Sequence, residues 1–369
     1  MNLFDYNFLS GISLRNRFVR SATNESMADV DSGMATPELI KVIDALAQGG
    51  VGMIISGHSY VSGEGQANSR KLAIDSDECI PGLNQLVKAA HHGGSAMIVQ
   101  LAHAGAKAMD ASGAIGPSPI AIKGDEQYCR EMSTDDIKRI IEAFTAAAVR
   151  AQTAGFDGVQ LHAAHGYLLS EFLSPYYNRR NDEYGGSISN RVRIIVEILK
   201  AVKDKCGKAY PVMIKINSED FIPGGLNIDD SLEAVKILQS HGLNAVEVSG
   251  GTPDSIEGFD PIRKGLRSPE EEAFYETAAR RFKAELNIPV ILVGGIRSLE
   301  TAQRLIDTKA ADYIALSRPL IREPELIRRW QSGDTATATC ISCNQCFRPI
   351  MTGRGMYCVI DKKANRAAE

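Results

Sequence analysis

With 369 residues, 44% of them hydrophobic and 23% charged, the chain has ample material for a large core and none of the bias of a disordered or fibrous protein. A net charge of −4 with both signs interspersed provides no basic field for nucleic acid or for an anionic membrane surface. No stretch approaches the ~20 apolar residues that span a bilayer, and Met1 to Tyr6 shows no basic segment leading into an apolar one, so a cytoplasmic location is expected.

In chain order, residues 1–16 read as a short hairpin. Eight apolar runs of strand length then follow at 17–21, 53–56, 96–101, 158–162, 212–216, 245–249, 290–293 and 313–316. Amphipathic segments of helical length lie between and after them, near 37–48, 80–92, 134–153, 190–205, 229–241, 269–286, 299–308 and 323–331. Ser133 followed by Thr134, Asp135 and Asp136 is a helix start with acidic residues in the first turn, and Pro37 opens its helix near N1. Eight β-then-α units with no GxGxxG turn predict a single closed (β/α)8 barrel over residues 1–335 instead of an open doubly wound sheet. Residues 336–369 form a cysteine-rich extension expected to pack on it. The Gly-, Ala-, Ser- and Pro-rich stretch 103–132 is a long connection after the third strand, on the face where such barrels place their chemistry.

The fourth strand ends in His162, His165 and Tyr167, two imidazoles and a phenol within six positions. At a strand C-terminus this spacing can aim both imidazoles at one oxygen of a ligand while the phenol supplies a proton from the other side. The third strand closes on Gln100, whose amide both donates and accepts. Lys215 interrupts an apolar run in the fifth strand and needs a buried partner, either an anionic ligand or a carboxylate such as Glu247. After the seventh strand come Gly294, Gly295 and Arg297, and after the eighth Ser317 and Arg318. Backbone N–H groups, a helix N-terminus and a guanidinium at these two turns suit a phosphate-bearing ligand. Of seven cysteines, Cys79, Cys129 and Cys206 are scattered, whereas Cys340, Cys343, Cys346 and Cys358 crowd the tail as C-x2-C-x2-C-x11-C, which is no disulfide framework. Four thiolates at this spacing suit a [4Fe–4S] cluster or a tetrahedral zinc.

Together, the segments Leu14 to Val19, Gln100 to Gly105 and His162 to Pro175, the loop Arg180 to Ser187 and the two phosphate turns resemble the Old Yellow Enzyme family of FMN-dependent NAD(P)H oxidoreductases over nearly the whole chain. The resemblance implies that Ser21, Ala22, Thr23, Gly57, Gln100, Lys215 and Gly250 contact the flavin and that Gly294, Gly295, Ser317 and Arg318 hold its phosphate. It further implies that His162 and His165 bind the substrate oxygen and that Tyr167 donates the proton. The chain departs from the family at Ser21 to Asn24, where many relatives have Pro-Met followed by Cys or Thr; Asn24 takes the tuning position and joins the substrate-binding set. Ser317 stands where glycine is common. The tail is similar to the cluster segment of the trimethylamine dehydrogenase and dienoyl-CoA reductase branch, in which a nucleotide-binding domain follows. Here the chain stops at Glu369, so a cluster is expected either to serve a separate redox partner protein or to play a purely structural role.

The expected activity is hydride transfer from NADH or NADPH, through FMN, to an activated alkene or similar small electrophile. An enzyme of the amine-dehydrogenase or dienoyl-CoA-reductase kind, exchanging electrons through the tail, is the alternative within the family. A non-flavin phosphosugar lyase or isomerase, with Lys215 as a Schiff-base lysine, is the alternative outside it. A homo-oligomer is left open.

Overall fold

The computed structural model describes residues 2–120, 129–266 and 268–362. Part of the 103–132 connection (121–128), residue 267 and the last residues of the extension (363–369) lie outside the described residues.

Eight parallel strands form the barrel: β1 (Phe18–Arg20), β2 (Met53–Ile55), β3 (Ala96–Ala102), β4 (Gly158–Ala163), β5 (Val212–Asn217), β6 (Ala245–Ser249), β7 (Val290–Val293) and β8 (Tyr313–Leu316). Each pairs with the next in chain order, and β8 returns to β1 with Ile314 opposite Phe18 and Leu316 opposite Arg20. The sheet is therefore closed, and the expected (β/α)8 architecture is present. The covering helices are α1 (Pro37–Gln48), α2 (Ile80–His92), α3 (Thr134–Ala154), α4 (Arg193–Cys206), α5 (Ile228–Ser240), α6 (Glu276–Glu285), α7 (Leu299–Asp307) and α8 (Leu326–Gln331). Side chains cap several of them: Ser133 makes a capping box with Asp136, and Thr36, Asn227 and Ser298 each accept a backbone N–H of the first turn.

Strand alternation sorts the barrel interior into two levels. The lower one is apolar: Val19, Met53, Ile55, Ala96, Ile98, Met213, Ala245 and Ile291 pack with Leu9, Ile12 and Leu14 of the antiparallel hairpin Asn7–Leu9 and Ile12–Leu14, which plugs the bottom. Two residues further along the same strands the inward positions turn polar, with Gln100 after Ile98, Lys215 after Met213 and Glu247 after Ala245. The period of two that buries the lower layer thus delivers these groups to the upper end, where the loops that follow the strands surround them.

Three expected helices are shorter or divided. The 323–331 segment follows a separate turn, Arg318–Arg322, because Glu323 precedes Pro324 and leaves the helical region at φ −129°, ψ 80°. The 269–286 segment holds only a 3₁₀ turn, Pro269–Glu271, before α6, since Ala273 adopts φ 54°. The 190–205 segment is two helices, Ile188–Arg191 and α4, parted at Val192. A helix absent from the sequence reading, Leu168–Leu173, starts immediately after Tyr167 and fixes the backbone of the His162 to Tyr167 segment. Among the described residues no helix is long and apolar enough to cross a membrane.

Candidate active site

A cavity of about 580 Å³ opens at the C-terminal ends of the strands. It gathers Ser21, Ala22, Thr23 and Asn24 from the loop after β1, Gln100 from β3, His162, His165 and Tyr167 from and after β4, Lys215 from β5, Gly294 and Gly295 after β7, and Ser317 and Arg318 after β8. These residues were singled out in the sequence from six separate stretches, and the barrel brings them together. Gly57 and Gly250 are not among the lining residues. A Cβ on Gly57 would lie 2.1 Å from Glu25 Oε2, and one on Gly250 2.7 Å from the Tyr275 ring, so the bareness of both glycines serves neighbouring side chains.

One wall is a closed hydrogen-bonded network. Lys215 Nζ donates to Glu247 Oε1 (3.0 Å) and to Ser21 Oγ (2.8 Å), and the Ser21 hydroxyl donates to Glu247 Oε1 (2.6 Å). Gln160 Nε2 donates to the other Glu247 oxygen (2.9 Å), while Gln100 Nε2 donates to Gln160 Oε1 (2.7 Å). Strand register sets this up, because Lys215 lies opposite Glu247 and Gln100 opposite Gln160. Of the two partners open to Lys215, the carboxylate is the one present. Lys215 and Glu247 form a buried ion pair at the cavity wall, which leaves the ammonium fixed in place beneath any ligand.

A neighbouring part of the lining, beginning at His162 beside Lys215 in the strand register, is aromatic and sparsely paired. The His162 ring stands 5.0 Å from that of Tyr167 and 5.3 Å from that of His165. His58, which the sequence reading passed over, lies 5.0 Å from Tyr167 and 5.9 Å from His162. His162 Nδ1, His58 Nε2 and Asn24 Oδ1 are buried without a partner among the described residues. His165 adopts φ 63°, its backbone N–H donates to Asn217 Oδ1 (3.1 Å), and its Nε2 lies 2.8 Å from Ser249 Oγ. Burial holds the His162 imidazole well below its usual pKa, and burial assisted by Lys215 brings His165 down to about 3. Both rings are therefore neutral at pH 7 and able to donate one N–H each without carrying charge. Burial raises the Tyr167 phenol to about 12, so it keeps its proton.

The third side carries the two turns after β7 and β8 that the sequence suggested for a phosphate. Gly294 and Gly295 have φ 147° and 74°, and a Cβ on Gly295 would lie 2.4 Å from Leu266 Cδ1. Ser317 Oγ and Thr23 Oγ1 are 2.8 Å apart. Arg318 Nη1 donates to Arg263 O (2.7 Å) and Asn344 Oδ1 (2.6 Å), which fixes the guanidinium. The cavity wall carries five cations, Lys107, Lys215, Lys264, Arg297 and Arg318, against Asp260, a balance that suits anionic ligands.

The tail packs on this end of the barrel. The Ala338 N–H donates to Arg297 O (2.9 Å), Arg297 Nη1 donates to Cys340 O (3.1 Å), and Ser342 and Phe347 line the main cavity. Cys340, Cys343, Cys346 and Cys358 line one small common cavity, with Arg318 and Arg322 also in its wall. No three His, Cys, Asp or Glu side chains among the described residues converge closely enough to hold one metal ion, so the four thiols do not form a tetrahedral zinc site in this arrangement.

The profile of the NADH:flavin oxidoreductase / NADH oxidase family matches residues 3–336. An NADH oxidase of Thermoanaerobacter brockii is 34% identical over 350 residues, which is 93% of this chain and 53% of that protein. The solved structure of a 2-naphthoyl-CoA reductase in complex with 2-naphthoyl-CoA superposes with a TM-score of 0.89 at 25% identity, covering 97% of this chain and 56% of that one. An old yellow enzyme homologue from Zymomonas mobilis superposes with a TM-score of 0.76 at 25% identity, covering 93% and 96%. The chain thus spans about half the length of the first two proteins and nearly all of the third. The resemblance to the Old Yellow Enzyme family holds, and the chain belongs to the NADH:flavin oxidoreductase / NADH oxidase family.

Proposed function

We propose that the protein binds FMN in the barrel mouth and passes hydride from a reduced nicotinamide to an activated alkene or similar small electrophile, with Tyr167 as proton donor. The observation that carries this reading is the pairing of a fully satisfied polar wall with an aromatic wall whose neutral donors wait for a partner. The residues fit the cofactor. Gln100 and Lys215 present an amide and a cation suited to the polar edge of an isoalloxazine, Ser21 to Thr23 offer backbone beside it, and Gly294, Gly295, Ser317 and Arg318 form a cradle for its phosphate. FMN supplies the two-electron hydride chemistry when bound.

The chain's own residues do the rest. His162 donates from a neutral ring to the carbonyl or nitro oxygen of the acceptor, drawing electron density from the double bond. His165, with Nε2 engaged by Ser249, has Nδ1 left for the same oxygen. Tyr167 delivers its proton to the α-carbon. Phe274, Tyr275, Val293 and Ile296 add apolar surface to the lining. A carbinolamine-forming lysine is a poor reading of Lys215, because its Nζ is tied to the Glu247 carboxylate and the Ser21 hydroxyl. The test is an anaerobic visible spectrum before and after NADH or NADPH. Flavin bands that bleach support the proposal, and a spectrum that stays featureless after addition of FMN removes it.

The four cysteines around one cavity favour a second element of the same reading, a [4Fe–4S] cluster held by Cys340, Cys343, Cys346 and Cys358 and supplying one-electron transfer to a partner protein. Iron and acid-labile sulfide near four per chain are expected from anaerobically purified protein; their absence after reconstitution with iron and sulfide would count against it.

A further inference from the structure

Four of the five cations in the cavity wall are engaged elsewhere or open to solvent. Lys215 is paired with Glu247, Arg297 Nη1 donates to Cys340 O, Arg318 Nη1 donates to Arg263 O and Asn344 Oδ1, and Lys264 is exposed. Lys107 differs from all of them. It ends the 3₁₀ turn Gly105–Lys107 after β3, is half-buried, and donates from Nζ to Gly166 O (2.8 Å), the carbonyl between His165 and Tyr167. Its ammonium forms no ion pair among the described residues.

The surroundings hold this ammonium in place. Gly166 has φ 73°, and a Cβ on it would lie 2.4 Å from Lys107 Nζ, so any side chain there would displace the charge from the lining. The Tyr177 ring offers its face at 5.1 Å, and its hydroxyl donates to Asp254 Oδ2 (2.6 Å), which fixes the ring. Nearby acids do not neutralise the lysine. Burial raises the Glu171 carboxyl to about 8, so it is mostly protonated at pH 7, and the Asp220 carboxylate already accepts Asn217 Nδ2 and the Leu226 N–H (2.9 Å each). An ammonium has three donors; the carbonyl and the ring face account for two, which leaves one for whatever enters the cavity.

We propose that Lys107 selects the acceptor, an unsaturated carbonyl compound that also carries a carboxylate, by pairing with that carboxylate while the carbonyl oxygen sits on His162 and His165. The inference rests on the reading of those two histidines as the oxygen-binding pair. A carboxylate against this ammonium makes a charge-assisted hydrogen bond in a partly enclosed site, whereas the matching ester offers only a weak neutral acceptor. A reduced dinucleotide is anionic too, but a ribose separates its phosphates from the nicotinamide ring. The Lys107 ammonium adjoins the segment that holds the reacting atoms, which favours the acceptor as the source of the anion.

The flavin-loaded full chain provides the test. The probes are trans-4-oxopent-2-enoate, its homologue trans-6-oxohept-4-enoate, and the methyl ester of each. For at least one pair, the ratio of kcat/KM for acid to that for ester should be about tenfold or more higher in the native protein than in Lys107→Gln. Glutamine can still donate to Gly166 O, so a purely structural role would slow acid and ester alike and leave the ratio unmoved. Lys107→Arg keeps the charge and should restore most of the ratio. A ratio unmoved for both pairs overturns the proposal, as does a loss confined to reduction by NADH or NADPH, which would assign the anion to the dinucleotide. Should Lys107→Gln not fold, binding to the native protein decides, read as a shift of the flavin spectrum by the saturated 4-oxopentanoate and 6-oxoheptanoate and their esters. Tighter binding of either acid by about tenfold supports the proposal, and equal binding of acid and ester in both pairs overturns it. Failure of the underlying reading looks different: a flavin that bleaches with nicotinamide and is reoxidised by neither acid nor ester, with the saturated compounds still reporting the charge preference.

Discussion

Two walls of one cavity are built on opposite rules. On the Lys215 side every named polar group is hydrogen-bonded to another, from Gln100 through Gln160 and Glu247 to Ser21, and the whole set is buried. On the Tyr167 side, His162, His58 and Asn24 each retain a buried polar atom without a partner. A satisfied network holds its shape without a ligand, whereas an unsatisfied one stores a desolvation cost that a ligand or a water relieves. The first wall is a rigid template, and the second holds the groups to which the proposal assigns recognition and proton transfer.

The largest expected effect comes from breaking the template. Lys215→Met leaves Glu247 charged and buried beside an apolar chain, which costs about 3–5 kcal/mol of stability in a denaturant titration. Adding Glu247→Gln should restore part of that loss; a double variant no more stable than the single one would show that the pair is not coupled. Next in size is the phosphate cradle. Arg318→Leu removes one charged fork and should weaken FMN binding by about 2 kcal/mol, roughly thirtyfold, read by flavin fluorescence on dialysis. Unchanged affinity would place the phosphate elsewhere.

A third prediction sharpens the contrast by pH. Glu171 lies in the helix after Tyr167, one oxygen accepting the Ala106 N–H (3.0 Å) and the other buried and unpaired, and burial raises its carboxyl to about 8. Its folded pKa is above the unfolded value, so its contribution is fully present below about 4.5 and is lost as pH rises through about 8. Glu171→Gln should be near neutral in stability at about pH 4 and increasingly more stable than the native protein as pH rises towards 8, by on the order of a few kcal/mol at pH 9, in thermal unfolding. A difference that is flat across this range would remove the assignment. The smallest effect belongs to Gly295→Ala, where φ 74° and the close approach of Leu266 should cost about 1–2 kcal/mol and loosen FMN without touching Tyr167 chemistry.

Much of this was legible in the chain because barrel strands buried on both faces read as apolar runs, and the polar residues that interrupt them near their ends are the ones that reach the cavity. Lys215 and Gln100 announced themselves in that way, and so did the His162, His165 and Tyr167 cluster by density. Glu247 was visible as a candidate partner, but only the strand register sets it opposite Lys215. His58 was missed as a lone histidine, although its place just after β2, by analogy with the other strand ends, was a usable signal. Lys107 and Gly166 could not have been paired from the sequence, since 59 positions separate them and no periodicity links loops. Gly57 and Gly250, which the resemblance placed beside the flavin, make room in this structure for Glu25 and Tyr275.

The central claim is that Tyr167 acts in one half of a two-step reaction. It is tested most directly by stopped-flow measurement of both halves in the FMN-loaded native protein and in Tyr167→Phe: reduction by NADH or NADPH, then reoxidation by an enone. The account predicts reduction rates within about twofold of each other and reoxidation slowed by roughly 10²-fold or more in the variant. Equal slowing of both halves, or of neither, would contradict it.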